Sequence, residues 1–285
     1  MIKKSIEVDG TIIAYLEEGS RLDPCVLMLH GWPETSLIWK DIIPAVVESG
    51  FRAIAPDLPG FGLSDALEEE PTLERYVSFV SSFMAKLHLT HVHLFLHDWG
   101  GMIGLKWASQ RPSRVLSLLI SDTLYTHQAK WHPLAETFRT PQLGEQMMAA
   151  FADWGRFKGT MKQEIPTVTD RVVEDFYELL STAEGRDLSL QLYRNTNFEE
   201  LLPEAGKLSR VRTPVTIVWG EQDEHTPQQM AYLIKENELP QAEVHIIPEA
   251  GHFIHLTCPQ EVQAIVRAHL DVFDDEAAWK QARVY

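Results

Sequence analysis

Short apolar segments alternate with helical patterns along the first 120 residues, and this alternation constrains the fold more than any other feature. The apolar segments are residues 26–29, 52–55, 92–96 and 115–120. The helical patterns between them cover residues 37–48, 76–87 and 102–110. Continuous apolar runs are typical of strands buried on both faces of a parallel sheet. Strands that alternate with helices in this way predict an α/β fold, with a mostly parallel sheet wrapped by helices.

The alternation stops after Asp122 and resumes near residue 215. Residues 124–207 have a helical, aromatic-rich pattern, whereas the later segments read as strands at 215–219 and 244–247 and helices at 228–236 and 260–273. A helical block between two strands of one sheet predicts an insertion that caps the carboxyl edge of the sheet. We therefore predict a core of residues 1–123 and 208–285 and a cap of residues 124–207. A hairpin around Asp9-Gly10 begins the core, and residues 274–285 form a polar tail.

The composition argues against several classes of function. With 45% hydrophobic and 23% charged residues among 285, the chain has the make-up of a globular protein. Its net charge of −16 disfavours nucleic acid or an anionic membrane as a partner. Cys25 and Cys258 lie in no metal-binding or disulfide pattern. No apolar run approaches the roughly 18 residues of a membrane span, and the N-terminus is unlike a signal peptide, so we expect a cytoplasmic location.

The segment His97-Asp98-Trp99-Gly100-Gly101 joins an apolar strand to a helical pattern. A sharp turn of this kind presents one side chain at the top of a parallel sheet, beside a helix N-terminus that favours negative charge. Most such turns carry serine in a G-x-S-x-G pattern, which this chain lacks. Aspartate before a helix is also an ordinary N-cap. If Asp98 is instead a nucleophile, it forms an alkyl ester, so its substrate carries an electrophilic sp3 carbon.

Two further groups are predicted to meet Asp98 at the carboxyl edge of the sheet. Gly220-Glu221-Gln222-Asp223 follows one strand, and Gly251-His252 follows the next. The order nucleophile, acid, histidine is that of the α/β-hydrolases. Asp122 also ends a strand and is the alternative acid, although a turn or cap role suits it equally. We favour Asp223 because the spacing Gly-x-x-Asp before a proline, here Pro227, is the commoner one in the wider family of α/β-hydrolases.

These motifs resemble those of the α/β-hydrolases with an aspartate nucleophile, a branch that includes epoxide hydrolases and haloalkane dehalogenases. The resemblance covers nearly the whole chain. Its motifs are His30-Gly31-Trp32-Pro33-Glu34, Asp57-Leu58-Pro59-Gly60-Phe61-Gly62-Leu63-Ser64-Asp65, His97-Asp98-Trp99-Gly100-Gly101, residues 220–223 and Gly251-His252. It implies an α/β-hydrolase core, with a mostly parallel eight-stranded sheet flanked by helices and an inserted helical cap.

The resemblance also implies roles for individual residues. Asp98 would attack the substrate carbon, and His252 would activate the water that hydrolyses the ester. Asp223, or alternatively Asp122, would orient His252 and stabilise its charged form. The backbone N–H groups of Trp32 and Trp99 would hold the developing oxyanion.

The motifs divide between epoxide and haloalkane chemistry. The motif around Trp32 resembles epoxide hydrolases, and Tyr193 resembles the second of their cap tyrosines, which donate a proton to the leaving oxygen. A first cap tyrosine is not evident, although Tyr125 and Tyr177 are outside candidates. The bulky Leu96, two residues before the nucleophile, favours a dehalogenase.

An indole N–H is a fixed donor suited to a halide ion, and Trp99 offers one in either class of enzyme. Trp131 or Trp154 could supply a second indole donor from the cap, although both suit packing as well.

We therefore predict a hydrolase that acts on a small apolar substrate through an ester on Asp98, most simply an epoxide hydrolase that forms a vicinal diol. A haloalkane dehalogenase is the alternative, and a non-catalytic ligand-binding relative is a minor one. No metal or organic cofactor is expected, because no phosphate loop or metal cluster occurs and water is the co-substrate. A monomer or homodimer is expected, with no nucleic-acid or membrane partner.

Overall fold

Residues 2–126, 128–198 and 207–273 are described in a computed structural model of the chain, and they contain one eight-stranded sheet. Its strands are β1 (Lys4–Val8), β2 (Thr11–Glu18), β3 (Cys25–Leu29), β4 (Arg52–Pro56), β5 (Val92–His97), β6 (Val115–Ser121), β7 (Val215–Gly220) and β8 (Glu243–Ile247). Their spatial order is β1-β2-β4-β3-β5-β6-β7-β8. The pairs β1–β2 and β2–β4 are antiparallel, and the remaining pairs are parallel. The predicted α/β fold with a mostly parallel sheet is confirmed.

The apolar runs of the sequence are the central strands. Every residue of β3, β4, β5, β6 and β7 is buried, whereas β8 alternates between exposed and half-buried positions at the edge of the sheet. Helices cover both faces of a parallel sheet, so its central strands are mostly apolar, and the polar residues in them need buried partners. The carboxyl ends of β5, β6, β7 and β8 lead into Asp98, Asp122, Asp223 and His252 respectively.

The α-helices are α1 (Ile43–Glu48), α2 (Leu73–Lys86), α3 (Asp98–Gln110), α4 (Pro133–Arg139), α5 (Leu143–Phe151), α6 (Trp154–Glu164), α7 (Asp170–Ser181), α8 (Ala183–Arg194), α9 (Gln229–Asn237), α10 (Ile254–Thr257) and α11 (Pro259–Asp271). Helices α4–α8, here called the inserted helices, lie between β6 and β7 in the chain. The predicted end of the insertion at residue 207 follows a stretch outside the described residues, as does the predicted polar tail at 274–285. Across the described ranges, no helix is both long and apolar enough to cross a membrane.

The prediction of one continuous helix over residues 37–48 is wrong. The segment divides into a 3-10 helix, Ser36–Trp39, and the short helix α1. The Thr35 hydroxyl accepts a hydrogen bond from the N–H of Leu37 and starts the first piece. Pro44 lacks an N–H, so it is tolerated in the first turn of α1 but not in the middle of a longer helix.

Two polar contacts tie the inserted helices to the sheet. The Lys3 ammonium lies 2.9 Å from Asp57 Oδ2 and 2.8 Å from Asp175 Oδ1 of α7, and its side chain is largely buried. The Trp32 indole N–H donates to Ser189 Oγ of α8 at 3.0 Å. Asp57 also accepts the N–H of Ser36 at 2.9 Å. The inserted helices are therefore fastened to the loops that follow β3 and β4.

A chain of buried hydrogen bonds joins α11 to strands β5, β6 and β7 of the sheet. His269 bonds Thr216 through Nδ1 and Ser117 through Nε2, both at 2.8 Å, and Ser117 bonds His93 Nδ1 at 2.8 Å. Burial lowers the pKa of His93 to about 3 and that of His269 to about 4. Both imidazoles are therefore neutral near neutral pH.

We expect this chain of histidines to make the fold sensitive to acid. Both folded pKa values lie below the usual value of 6.5, so the unfolded state binds more protons once the pH falls below that value. Unfolding free energy should fall by up to about 1.4 kcal/mol per pH unit for each histidine between about pH 6.5 and pH 4. Chemical denaturation across that range measures the slope.

The variant His269→Gln keeps a hydrogen-bonding side chain but cannot titrate. Its unfolding free energy should change less steeply with pH than that of the wild type. The exposed His91→Gln should leave the wild-type slope intact. Parallel slopes for the wild type and His269→Gln would contradict the assignment.

Candidate active site

Asp98 occupies a sharp turn between β5 and α3. Its φ is +48°, in the left-handed region that non-glycine residues rarely adopt. A Cβ on Gly100 would lie 2.3 Å from the Leu29 carbonyl oxygen, so only glycine allows the turn to sit this close to β3. The Thr123 hydroxyl donates to the Asp98 carbonyl oxygen at 2.6 Å. Backbone strain of this kind is typical of functional sites.

The loop after β3 lies directly against the Asp98 carboxylate. The Trp32 N–H donates to Asp98 Oδ1 at 2.8 Å. A Cβ on Gly31 would lie 2.2 Å from the same oxygen, so the close approach requires glycine. Trp99, the other predicted oxyanion donor, is the second residue of α3, in the turn whose N–H groups lack partners within the helix.

The buried carboxylate of Glu34 joins this loop to the sharp turn that carries Asp98. Glu34 accepts the N–H of Gly31 at 2.8 Å and lies 2.9 Å from His97 Nε2. Burial opposes ionisation, but the adjacent His97 imidazole and the Gly31 N–H outweigh it and lower the pKa of Glu34. Glu34 thus holds together the residue before Trp32 and the residue before Asp98. Glu34 and His97 both lie in the sequence motifs, but the sequence did not predict the contact between them.

The structure brings Asp98, His252 and Asp223 together. His252 Nδ1 lies 2.8 Å from Asp223 Oδ2, and His252 Nε2 lies 3.8 Å from Asp98 Oδ2. Asp223 also accepts the N–H of His225 at 2.7 Å and the N–H of Thr226 at 2.9 Å. Despite burial, the charge on His252 and these hydrogen bonds lower the pKa of Asp223. Asp223 is therefore an ionised acceptor that orients the imidazole.

Asp122, the alternative acid, is buried beside this set in a different state. Its Oδ1 accepts the Gly220 N–H at 2.9 Å, and its Oδ2 lies 4.0 Å from His97 Nδ1. Burial and the negative charge of Asp223 raise the pKa of Asp122 well above its usual value. Two neighbouring buried carboxylates favour one shared proton. Asp122 carries that proton, because Asp223 is the one paired with His252.

Two ionised carboxylates set the charge of His252. Burial disfavours the imidazolium, but the charges of Asp223 and Asp98 and the hydrogen bond to Asp223 outweigh burial and raise the pKa of His252 to about 10. Burial raises the pKa of Asp98, whereas His252 and His97 oppose that rise. An ionised Asp98 beside an imidazolium is the consistent charge state near neutral pH. Removal of the charge on Asp98 would lower the pKa of His252.

Asp98 and His252 form part of the wall of a cavity of about 60 Å³ that is partly open to solvent. A water molecule needs about 10–15 Å³ on this scale, so the space corresponds to roughly four water positions. The remaining wall is formed by Trp32, Pro33, His132, Leu134, Phe151, Phe157, Thr160, Met161, Glu164, Tyr193, His225 and Phe253. Such a cavity suits a small molecule with an apolar body.

Tyr193 lies at the Asp98 side of the cavity, within an aromatic cluster. Its ring is perpendicular to that of Trp99, with 5.1 Å between centroids, and lies 5.4 Å from Trp131. Burial and the charge of Asp98 raise the pKa of Tyr193 well above its usual value, so the phenol keeps its proton. Trp131 stacks on Trp99 at 5.7 Å. The Trp32 indole N–H is already bonded to Ser189.

The other tyrosines and the second candidate indole lie elsewhere. Trp154 packs against Tyr177 at 5.2 Å, and the Tyr177 hydroxyl donates to the Ala152 carbonyl. Tyr125 is buried but is not among the residues that line the cavity. Tyr193 is therefore the one tyrosine among the described residues that lines the cavity with Asp98.

The described residues also line two further cavities. An open cavity of about 300 Å³ between α5 and α6 shares Phe151 and Thr160 with the cavity at Asp98. A larger groove of about 820 Å³ lies at the amino ends of β3 and β4, around Cys25 and Arg52. Burial raises the pKa of Cys25 to about 12, so its thiol is no nucleophile near neutral pH.

Sequence reasoning missed three polar residues of the cavity wall, His132, Glu164 and His225. His132 precedes α4, Glu164 ends α6, and His225 follows β7. No motif marks His132 or Glu164, and His225 could have been suspected only from its position two residues after Asp223. Their convergence depends on how the inserted helices pack on the sheet.

Comparisons with known proteins show the family to which the chain belongs. The sequence profile of the alpha/beta hydrolase fold family matches residues 24–259. A haloalkane dehalogenase from Psychrobacter cryohalolentis is 36% identical over 167 residues, which are 58% of this chain and 53% of that protein. The chain thus spans about half the length of this relative. Epoxide hydrolase 3 from Mus musculus is 27% identical over 93% of this chain and 75% of its own length.

Solved structures share the fold at low sequence identity. A haloalkane dehalogenase from Bradyrhizobium elkani superposes with a TM-score of 0.83 at 22% identity, over 95% of this chain and 97% of that one. A meta-cleavage product hydrolase superposes with a TM-score of 0.77 at 19% identity, over 95% and 98%. The sequence-based prediction of an α/β-hydrolase, with epoxide hydrolases and haloalkane dehalogenases as relatives, is confirmed. The chain belongs to the alpha/beta hydrolase fold family.

Proposed function

We propose that this protein hydrolyses small epoxides to vicinal diols through an ester on Asp98, and that residues 124–207 form the cap of the active site. The observation that carries the proposal is the protonated phenol of Tyr193 in the same cavity wall as the Asp98 carboxylate. Epoxide opening needs a nucleophile for carbon and a proton donor for the leaving oxygen. Asp98 and Tyr193 supply this pair.

The first step forms the ester. Oδ1 of Asp98 is engaged by the Trp32 N–H, which leaves Oδ2 as the attacking oxygen. A bond forms between Oδ2 and the epoxide carbon as the ring C–O bond breaks. Its electron pair passes to the ring oxygen, which takes a proton from the Tyr193 hydroxyl. Asp98 loses its negative charge in this step.

The second step hydrolyses the ester. With Asp98 neutral, one of the charges that raise the pKa of His252 is gone, so the imidazolium can release its proton to solvent. Neutral His252 then takes a proton from water, and the hydroxide oxygen attacks Cγ of Asp98. The oxygen held by the Trp32 N–H takes the negative charge, with Trp99 as the second donor. Collapse of this intermediate breaks the bond between Cγ and the substrate oxygen, and that oxygen takes a proton from the His252 imidazolium as the diol leaves. The new Asp98 carboxyl group passes its proton to His252, which restores the carboxylate and the imidazolium, and the Tyr193 phenolate regains its proton from solvent.

Haloalkane hydrolysis is the second candidate, because a haloalkane dehalogenase is among the sequence relatives and the Trp99 and Trp131 indoles stack near Tyr193. The same ester would form with departure of a halide. An indole N–H from each ring would be needed to hold that ion. The Trp99 side chain is hydrogen-bonded to the Tyr193 hydroxyl, so one of the two indole donors is already engaged, which favours the epoxide.

The ester on Asp98 should be trapped when its hydrolysis is blocked. His252→Gln should accumulate an adduct, which intact mass spectrometry detects. An epoxide adds its whole mass, whereas a haloalkane adds its mass less hydrogen halide. Asp98→Ala should reduce turnover by at least about 10⁴-fold and give no adduct. The surface variant Asp271→Asn should behave as wild type. Turnover by Asp98→Ala near the wild-type rate would contradict the nucleophile.

The two acids are distinguished by isosteric variants. Asp223→Asn should lower kcat by about 10³–10⁴-fold, because the amide cannot accept the His252 N–H in the required tautomer. Asp122→Asn should lower kcat by less than about tenfold, since Asp122 is already neutral. Steady-state kinetics on the same substrate gives both values. The reverse order would assign the acid to Asp122.

Tyr193→Phe separates the two substrate classes. Racemic epibromohydrin carries both an epoxide and a carbon–bromine bond, and early release of bromide and diol can be followed together. The wild type should form bromodiol without bromide. Tyr193→Phe should slow diol formation by about 10²–10⁴-fold, because only ring opening needs a proton donor. Bromide and glycidol from the wild type would instead indicate the dehalogenase.

A further inference from the structure

The cavity wall also carries three polar side chains that lie beside His252, those of His132, Glu164 and His225. His225 Nε2 lies 3.6 Å from Glu164 Oε2, and the rings of His132 and His225 are 4.9 Å apart. The His225 ring lies 5.1 Å from that of His252. Glu164 is the last residue of α6, and His132 directly precedes α4, whereas His225 lies in the loop after β7. We call the three residues the polar subsite.

The proposed reaction uses none of these three side chains. Asp98, His252, Asp223 and Tyr193 perform its steps. Apart from the polar subsite and Thr160, the wall here is apolar, formed by Leu134, Phe157, Met161 and Phe253 among others. A polar group that an apolar substrate covers loses its water without gaining a partner, which is unfavourable. The polar subsite therefore favours a substrate that carries a polar group.

The hydrogen-bonding capacity of the polar subsite is mixed. The Nδ1 atom of His132 accepts the Ala135 N–H at 3.4 Å, so its proton lies on Nε2, which is a donor. Burial lowers the pKa of His132 to about 3, which keeps the ring neutral. The hydrogen bond from His225 lowers the pKa of Glu164, which keeps it a carboxylate and an acceptor.

A hydroxyl group is the small group that both donates and accepts a hydrogen bond. It can donate to Glu164 and accept from the His132 Nε2–H. A carboxylate would meet the like charges of Glu164 and Asp98 in the same small cavity. An ammonium group would satisfy Glu164 but would find no acceptor on His132 Nε2–H. The wall therefore matches an alcohol best.

We propose that Glu164 and His132, with His225 beside Glu164, bind a hydroxyl group, and that the substrates are small epoxides that also carry a hydroxyl group. This inference rests on the proposed function. The cavity of about 60 Å³ limits the chain between the two groups to a few carbon atoms. A haloalcohol would take the same place if the leaving group were a halide.

The test compares epoxy alcohols with alkene oxides of equal heavy-atom count. The pairs are glycidol with butene oxide, epoxybutanol with pentene oxide, and epoxypentanol with hexene oxide. The side chain of Glu164 is 41% exposed and that of His225 is 23% exposed, so solvent weakens the hydrogen bonds of the polar subsite. We expect the wild type to prefer the alcohol of at least one pair by about tenfold in kcat/KM.

The variant Glu164→Met removes the acceptor and should reduce that preference to about one. Glu164→Gln keeps an acceptor oxygen and should give an intermediate ratio. The matched control is Glu178→Met on the exposed face of α7, which should keep the wild-type ratio. The ratio within each pair cancels changes in folding or in the amount of active enzyme.

Several results would overturn the inference. Equal rates within all three pairs, or a ratio that Glu164→Met leaves unchanged, would refute the polar subsite and leave the epoxide hydrolase standing. Preference for an epoxy amine over the alcohol would assign the polar subsite to a cation instead. The corresponding haloalcohols and haloalkanes are measured in parallel. Failure to turn over either class would refute the proposed function and the inference together.

Discussion

The Glu34 carboxylate is the contact on which the site depends. It is buried, and it holds the Gly31 N–H and the His97 imidazole at once. Gly31 precedes the residue that donates to Asp98, and His97 precedes Asp98 itself. One ionised side chain therefore fixes the loop after β3 and the sharp turn after β5 relative to each other. Loss of either partner would leave a buried charge unsatisfied, which is strongly unfavourable.

The charges around His252 explain how one imidazole can serve a reaction in two steps. Asp223 and Asp98 stabilise the imidazolium, while Asp122 holds a proton and adds no full charge. Ester formation would remove the charge of Asp98 and release the imidazole as a base. In the proposed reaction, the substrate would thus change the pKa of the imidazole that later acts on it. This coupling needs no movement of the protein, because the charge itself is what changes.

The inserted helices contribute polar side chains to the cavity wall. Helix α8 carries Tyr193 and holds the Trp32 indole through Ser189 one turn earlier. His132 directly precedes α4, and Glu164 is the last residue of α6. In the proposed reaction, the sheet edge would supply the nucleophile, the base and the acid for ester chemistry on any small electrophile. We therefore expect Tyr193 and the polar subsite to select among electrophiles.

The sequence by itself determined the α/β class and the sheet, because buried strands are mostly apolar, and it placed Asp98, Asp122, Asp223 and His252 after strand ends. It favoured Asp223 over Asp122 by spacing alone, whereas the packed structure supplies the 2.8 Å contact between Asp223 and His252. The helix predicted over residues 37–48 failed because local capping and Pro44 outweighed periodicity. The polar subsite lay beyond sequence reasoning. Its members are remote along the chain, and only tertiary packing brings them to one wall.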